Sequence, residues 1–186
     1  MIGFAICGSF CTISNSFEIM KKMVSQGYEI LPIMSYNAYE TDTRFGKAES
    51  IREQVVKITG KNIIHTILDA EPLGPKVSLE ALIIAPCTGN TLAKIANGIT
   101  DTPVCMAAKA HLRCDKPLVI ALATNDALSG NLKNIATLLN RKSIYFTPMV
   151  QDDPLNKPHS LVADFELIGE TLSYAMVGKQ IPKIFI

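Results

Sequence analysis

Short hydrophobic runs alternate along this chain with longer stretches in which hydrophobic residues recur every three or four positions. The short runs are typical of buried β-strands, and the longer stretches are typical of amphipathic helices. Strands that alternate with helices pair in parallel and carry helices on both faces of the sheet. The pattern therefore predicts an α/β fold with an open, mostly parallel six-stranded sheet, whose strands are residues 2–7, 28–34, 62–67, 81–86, 117–123 and 143–146.

Glycine, proline and threonine mark the ends of the helices between these strands. Gly27 and Gly60 are placed to end two helices, and Pro103, preceded by Thr102, is placed to begin another. No repeat, linker or low-complexity segment interrupts the pattern, so we expect one domain over residues 1–186. The predicted helices include 17–24 and cover 45–59, 91–97, 103–113, 131–140 and 161–177.

Two polar loops, 35–47 and 147–160, do not fit this alternation. Loops of this length in a compact domain usually carry function or are mobile. Both segments are therefore candidates for one or the other.

The composition excludes several classes of protein. The 186 residues carry a formal net charge of +1, which argues against nucleic acid or an anionic membrane as the main partner. The longest hydrophobic runs are far shorter than the roughly 20 residues that a membrane-spanning helix needs. Because Met1 leads directly into the first predicted strand, we expect a cytoplasmic protein. The five cysteines include no CxxC spacing and the three histidines are scattered singly, so we expect neither disulfides nor a metal site.

The residues that follow the predicted strands are candidates for binding, because ligands of open α/β sheets bind beyond the carboxyl ends of the strands. The first strand leads into a helix through Gly8, Ser9, Phe10, Cys11 and Thr12. Glycine lets the backbone approach a ligand closely, and the free amides and hydroxyls there suit a phosphate. A plain strand-to-helix turn explains the same residues, since neither GxGxxG nor GxxxxGK[ST] is present.

Three further strand ends are rich in small polar residues. Ser35 follows the second strand and is either a second phosphate ligand or a turn residue. Ala123, Thr124 and Asn125 follow the fifth. The segment after the fourth is either an elaborate helix cap or a site for a polar heterocycle, and it consists of Pro86, Cys87, Thr88, Gly89, Asn90 and Thr91. Four such ends at one edge of a sheet favour a binding site.

Two cysteines need separate consideration. Cys11 and Cys87 each lie where a strand end meets a helix start, a position that favours the thiolate. A catalytic cysteine needs a base, and no histidine occupies a position that obviously pairs with either thiol. Each cysteine is therefore either a nucleophile or a lining residue, and the sequence assigns no catalytic residue.

Taken together, these segments resemble a known family. GSFCT at 8–12, Ser35 and APCTGNTLAKIANGITDTP at 85–103 are similar to the flavoproteins that include the flavin-containing cysteine decarboxylases. The resemblance spans residues 1 to about 178 and implies a three-layer, Rossmann-like flavoprotein fold with an FMN site. It implies that 8–12 and Ser35 surround the phosphate and that 86–91 lie along the ribityl chain and ring edge. Residues 123–125, a weaker match, would lie under the ring.

Two departures separate this chain from the decarboxylases. Those enzymes carry a histidine shortly before the fourth strand, where this chain has EPLGPK at 71–76. They also carry Pro-Ala-Met-Asn after the fifth strand, where this chain has ATNDALSGN at 123–131. These departures make an FMN-dependent cysteine decarboxylase an alternative and not the leading expectation. A scaffolding subunit with a vestigial flavin site is a second alternative.

Five segments resemble one branch of this family, and they are DTRFGKAES, EPLGPK, APCTGNTLAK, MAAKAHLR and QDDPLNKPHSLVAD. Each member of that branch is one of the two subunits of an oxidoreductase. The resemblance implies a homo-oligomer, a small dicarboxylate substrate and a different partner subunit. That partner would carry NAD or NADP, because GxGxxG is absent here. Cations recognise carboxylates, and the candidates are Arg44, Lys47, Lys109, His111 and Arg113, for each of which surface solvation is an equal explanation.

Overall fold

The computed structural model describes residues 1–186 and contains one seven-stranded sheet. The strand order is β2-β1-β3-β4-β7-β6, and β5 pairs with the first half of β4 on the edge that β7 occupies further along. Strands β1 to β5 are parallel, whereas β7 runs antiparallel to β4 and β6 antiparallel to β7. The strands are β1 Ile2–Ile6, β2 Ile30–Met34, β3 Ala81–Cys87, β4 Leu118–Thr124, β5 Ile144–Phe146, β6 Met149–Val150 and β7 Leu161–Ala163.

Two layers of helices enclose this sheet. Helices α1, α3 and α8 form one layer, and α4, α5, α6 and α7 form the other, so that the three-layer α/β architecture is confirmed. The helices are α1 Ile13–Ser25, α2 Tyr36–Glu40, α3 Ala48–Thr59, α4 Ile67–Ala70, α5 Gly89–Ala96, α6 Pro103–Leu112, α7 Leu132–Leu139 and α8 Ile168–Met176. Short 3-10 turns at Phe10–Thr12 and Phe165–Leu167 precede α1 and α8.

Capping residues define several of these helix boundaries as the sequence predicts. The Thr102 hydroxyl accepts a hydrogen bond from the amide of Cys105, and Pro103 occupies the first turn of α6. Gly60 ends α3 in the left-handed conformation, with φ of 67°, which a side chain would strain. No helix is both long and hydrophobic enough to cross a membrane.

Two predicted elements are wrong. Residues 62–67 do not form a strand, because only Ile64 makes a bridge, to Ile33, before α4 begins. The Thr66 side chain caps α4 by accepting from the amide of Asp69, which ends the extended segment. The predicted helix 161–177 begins as strand β7, since residues 161–163 pair with β4 and β6 and α8 starts only at Ile168. The sheet therefore gains two antiparallel strands that alternation alone does not predict.

A contiguous cluster of 49 buried hydrophobic residues lies on both faces of the sheet. Strands β1 and β3 are buried at every position, as parallel strands covered on both faces require. The chain passes from β1 outward to β2 and returns to β3 on the other side of β1. The strand order therefore reverses between β1 and β3, which is where an open α/β sheet leaves a crevice.

Candidate functional site

A cleft lies beyond the carboxyl ends of β1 to β4, at this reversal, and it has two chambers that share Gly8 and Thr88. The inner chamber has a volume of about 410 Å³ and is lined by Gly8, Ser35, Tyr36, Asn37, Thr88, Asn90, Thr91, Lys94, Asp101 and Thr102. The outer chamber has a volume of about 480 Å³ and is lined by Gly8, Ser9, Phe10, Cys11, Thr12, Arg44, Phe45, Thr88, Ala123, Thr124, Asn125, Asp152, Lys157, Ser160 and Val162.

The loop after β1 forms the junction between the chambers. The Ser9 amide donates to the Cys7 carbonyl at 2.9 Å, and the Thr12 hydroxyl donates to the Ser9 carbonyl at 2.9 Å. These bonds fix a tight turn into the 3-10 segment that opens α1. A Cβ atom on Gly8 would come within 3.3 Å of the Asn37 side chain and 3.4 Å of the Phe10 ring. Because the backbone at Gly8 lies close to both Asn37 and Phe10, the absence of a side chain there keeps the junction between the chambers open.

Ser35 caps α2 and faces the inner chamber. Its amide donates to the Ile6 carbonyl at 3.0 Å, which ties the end of β2 to the end of β1. Its hydroxyl oxygen accepts from the Ala38 amide at 3.3 Å. The hydroxyl proton has no partner within the protein, so it is available to donate to an anionic ligand.

Thr88 caps α5 and begins a chain of hydrogen bonds that runs below the inner chamber. Its hydroxyl accepts from the Thr91 amide at 3.3 Å and donates to the Thr91 hydroxyl at 3.1 Å, which in turn donates to the Cys7 sulfur at 3.3 Å. The first amides of α5 have no acceptor within the helix. Because the positive end of the helix dipole lies there as well, this helix start favours a negatively charged group.

Gly89 packs directly against the end of β4. A Cβ atom there would lie 2.5 Å from Asn131 Nδ2, 2.6 Å from Thr124 Oγ1 and 2.7 Å from Asp126 Oδ1. Those three atoms belong to one network, in which Thr124 donates to Asp126 at 2.6 Å and Asn131 donates to its other carboxylate oxygen at 2.8 Å. The hydrogen bond from Thr124 is the main reason that the pKa of Asp126 is lowered. Only glycine therefore fits between α5 and this carboxylate.

Each chamber carries charged side chains at its rim. In the inner chamber Lys94 pairs with Asp101 at 2.8 Å. In the outer chamber Lys157 pairs with Asp152 at 2.9 Å, whereas Arg44 makes no ion pair. The hydrogen bond from the Ser160 hydroxyl lowers the pKa of Asp152 more than the hydrogen bond from Lys157 does. The Asp152 carboxylate in turn raises the pKa of Lys157. Hydroxyls, free amides and cations thus surround one cleft, as a phosphate-bearing ligand requires.

The model of the family described as Flavoprotein matches residues 1–168 of this chain. The chain belongs to the flavoprotein family. It is 42% identical over 185 residues to the B subunit of dipicolinate synthase from Bacillus subtilis (strain 168), an alignment that covers 100% of this chain and 92% of that relative. The resemblance of residues 8–12, Ser35 and 85–103 to the flavoproteins is therefore confirmed.

Solved structures of flavoproteins agree with this assignment. The crystal structure of the B subunit of dipicolinate synthase from Bacillus halodurans C superposes with a TM-score of 0.91 at 42% identity, covering 100% of this chain and 95% of that one. The FMN-dependent cysteine decarboxylase SpaF superposes with a TM-score of 0.66 at 20% identity, covering 95% and 94% of the two chains. At that identity the second likeness shows a shared flavoprotein fold alone.

The buried thiols of this flavoprotein lie beneath the cleft and are unsuited to chemistry. Burial raises the pKa of Cys7 to about 12 and raises the pKa of Cys87 well above its ordinary value. Both thiols therefore favour the protonated form, which argues against a nucleophilic role for Cys87. Pro86 and Cys87 end the buried strand β3 and line neither chamber. Cys11, by contrast, is exposed in the outer chamber.

Four of the five cationic candidates line neither chamber of the cleft. The His111 Nε2 atom bonds the Pro117 carbonyl at 2.9 Å, which places the end of α6 beside the start of β4, at the amino ends of the strands. Lys109 and Arg113 flank His111, and Arg113 faces Glu71 at 3.6 Å. Helix α6 runs antiparallel to the strands, so residues near its carboxyl end cannot share the site of residues near its start. Lys47 lies in a separate groove beside Cys11.

Several lining residues were not among the predicted ones. Tyr36, Asn37, Asp101 and Thr102 line the inner chamber, and Lys94 lies there because it follows Thr91 by three positions on α5. The helical spacing in α5 is the signal that predicts Lys94. The additional residues of the outer chamber come from the two long polar loops and from β7, and they are Phe45, Asp152, Lys157, Ser160 and Val162.

Proposed function

We propose that the cleft binds FMN and that this chain serves as the flavoprotein component of a two-subunit dipicolinate synthase. The observation that carries the FMN assignment is the meeting of four strand-end segments in two chambers that share Gly8 and Thr88. The full-length likeness to the B subunit of dipicolinate synthase, at 42% identity, supports the second part. Both parts agree with membership of the flavoprotein family.

The residues present fit the parts of FMN. Ser35, the amides at the start of α5 and the loop after β1 offer donors for the phosphate. Thr88, Asn90 and Thr91 offer hydroxyl and amide groups to the ribityl chain. In the outer chamber Phe10, Phe45 and Val162 provide hydrophobic surface for a fused ring, above Ala123 at the end of β4. The absence of a side chain at Gly8 leaves room for a ligand that extends through both chambers.

The activity that we propose is the oxidation of a dihydrodipicolinate-type precursor to dipicolinate, in the cytoplasm of the mother cell of a sporulating bacterium. NAD or NADP would bind to the partner, the A subunit of dipicolinate synthase, because this chain has no GxGxxG segment. When bound, FMN supplies a ring that can accept and return hydride. The residues that line the outer chamber would hold and orient that ring and would receive the substrate in the same chamber. We further propose that the chain forms a homo-oligomer.

Two features of this chain argue against the decarboxylase alternative. Segment 71–76 replaces the histidine of the decarboxylases, and a Cβ atom on its Gly74 would lie 2.3 Å from the Ala110 carbonyl oxygen. The backbone of this segment therefore lies close against the carboxyl end of α6, and residues 71–76 line neither chamber. No histidine lines either chamber. An assay for carbon dioxide release from a peptidyl or pantothenoyl cysteine tests the alternative directly.

The decisive experiment is titration of the purified chain with FMN, alone and with its partner subunit. We expect quenching of flavin fluorescence at one FMN per chain and an altered visible spectrum. Ser35→Ala removes a donor of the inner chamber and should weaken FMN binding, whereas Ser173→Ala, on the exposed side of α8, should not. A chain that takes up no FMN in either condition would leave only the scaffolding role. Conversion of the precursor by the two subunits together, and by neither alone, tests the oxidoreductase assignment.

A further inference from the structure

We propose that Arg44 and Lys157 form a two-point clamp for the two carboxylates of the substrate, in the outer chamber; this assignment rests on the proposed function. The two residues come from the two long polar loops, which meet at this chamber. Arg44 is the one cation predicted from the sequence that lies in this chamber, and Lys157 joins it there. Through Lys157, the polar segment 147–160 takes part in recognition of the substrate carboxylates.

Arg44 is free to bind a carboxylate. Its guanidinium makes no ion pair or hydrogen bond with the protein, and it lies 4.8 Å above the centre of the Phe45 ring. The Phe45 ring contacts the guanidinium without neutralising its charge. The guanidinium therefore keeps its fork of N–H donors for a planar carboxylate.

Lys157 is held in position by its own loop. Its ammonium donates to Asp152 at 2.9 Å, and the other oxygen of that carboxylate accepts from the buried Ser160 hydroxyl at 2.6 Å. The Leu128 amide donates to the His159 carbonyl at 2.9 Å, which fastens the loop to the segment after β4. One ion pair uses one of the three N–H donors of an ammonium, so Lys157 keeps two for a ligand. Preorganisation of this kind reduces the entropy lost on binding.

The charge of the outer chamber suits a dianion. Its charged lining side chains are Arg44, Lys157 and Asp152, which sum to +1. The Asp152 carboxylate is already bonded to both Lys157 and Ser160, so its repulsion of an incoming anion is reduced. A dicarboxylate that reaches both cations gains two charge-assisted contacts, whereas a monocarboxylate gains one. The clamp therefore selects dicarboxylates over monocarboxylates and neutral compounds.

The test is isothermal titration of the FMN-saturated protein with pyridine-2,6-dicarboxylate and with pyridine-2-carboxylate. We expect the wild type to bind the dicarboxylate about tenfold or more tightly than the monocarboxylate, as one charge-assisted contact predicts. Arg44→Gln and Lys157→Gln should each remove that preference. Arg113→Gln, an exposed change at the opposite end of the sheet, is the matched control and should keep it. Thermal melting confirms that each variant is folded.

The outcomes separate this inference from the proposed function. Wild-type preference for the dicarboxylate that survives in both Arg44→Gln and Lys157→Gln overturns the clamp, even when FMN binds normally. A wild type without dicarboxylate affinity overturns it as well, as does an equal loss in Arg113→Gln. If titration of the protein without FMN shows the preference and its loss in both variants, while FMN itself does not bind, the clamp stands and the FMN assignment fails.

Discussion

Alanine at position 89 should destabilise the fold and the cleft together. The added Cβ atom would lie 2.5 to 2.7 Å from three polar atoms, on Asn131, Thr124 and Asp126. Non-bonded carbon atoms do not approach oxygen or nitrogen so closely, so α5 must move away from β4 or the network must open. The network contains two short hydrogen bonds to the Asp126 carboxylate, at 2.6 and 2.8 Å. Either response moves Thr88, the cap of α5 that both chambers share.

The size of this effect follows from three terms. Overpacking a filled site costs about 1 to 3 kcal/mol. Loss of one hydrogen bond to a charged group costs about 1.5 to 3 kcal/mol. The greater helix propensity of alanine offsets roughly 1 kcal/mol of this. The net loss of unfolding free energy is therefore about 1.5 to 5 kcal/mol, which lowers Tm by roughly 3 to 20 °C for a chain of this size.

Differential scanning calorimetry of Gly89→Ala and Gly169→Ala measures this loss. Gly169 also lies near the start of a helix, but a Cβ atom there meets nothing within 4 Å. Gly169→Ala should therefore be neutral or slightly stabilising. The double change Gly89→Ala with Asn131→Ala should cost less than the sum of the two, because the nearest clashing atom is gone. A Gly89→Ala protein as stable as Gly169→Ala would refute the crowding argument.

Three further predictions concern thiols and pH. Iodoacetamide at pH 8 should label Cys11 in the folded protein and reach Cys7 only on unfolding, as mass spectrometry of the peptides will show. The pKa of Asp126 in the folded protein lies below its ordinary value of 3.8, so the contribution of this carboxylate to stability is complete above pH 3.8 and is lost as the pH falls through the folded pKa. Asp126→Asn should therefore make the free energy of unfolding less dependent on pH in that acidic range. Burial lowers the pKa of His111 in the folded protein, so the unfolded chain binds a proton at a higher pH than the folded chain does. The free energy of unfolding should therefore decline as the pH falls below 6.5, and it should decline less in His111→Gln.

The architecture and much of the cleft could be predicted because both depend on local patterns. Each parallel strand is a short hydrophobic run, and its last residue determines which side chains reach the carboxyl edge of the sheet. Gly8, Ser35, Thr88 and Thr124 could therefore be placed in one cleft without knowledge of the strand order. The flavoprotein family, which the full-length likeness confirms, follows from the same segments.

The errors arise where tertiary contacts outweigh local pattern. Hydrophobic spacing in 161–177 is compatible with a helix, but its first three residues pair with the exposed edges of β4 and β6. The predicted site also included residues near the carboxyl end of α6, but a helix of ten residues places its two ends near opposite ends of the strands. Thr102 at its start thus lines the inner chamber, whereas His111 lies at the amino ends of the strands.

Strand ends and loops contribute different chemistry to this cleft. The strand ends supply hydroxyls and amides with fixed positions, because the Ser35 amide donates to the end of β1 and the Thr88 hydroxyl caps α5. The long loops supply Arg44 and Lys157, whose charges face the outer chamber. Changes at Arg44 and Lys157 should therefore alter which carboxylate binds and leave FMN affinity nearly unchanged, whereas changes at Ser35 and Thr88 should weaken FMN binding first. Titrations of Lys157→Gln and Ser35→Ala with both ligands test this separation, and equal losses for both ligands in either variant would contradict it.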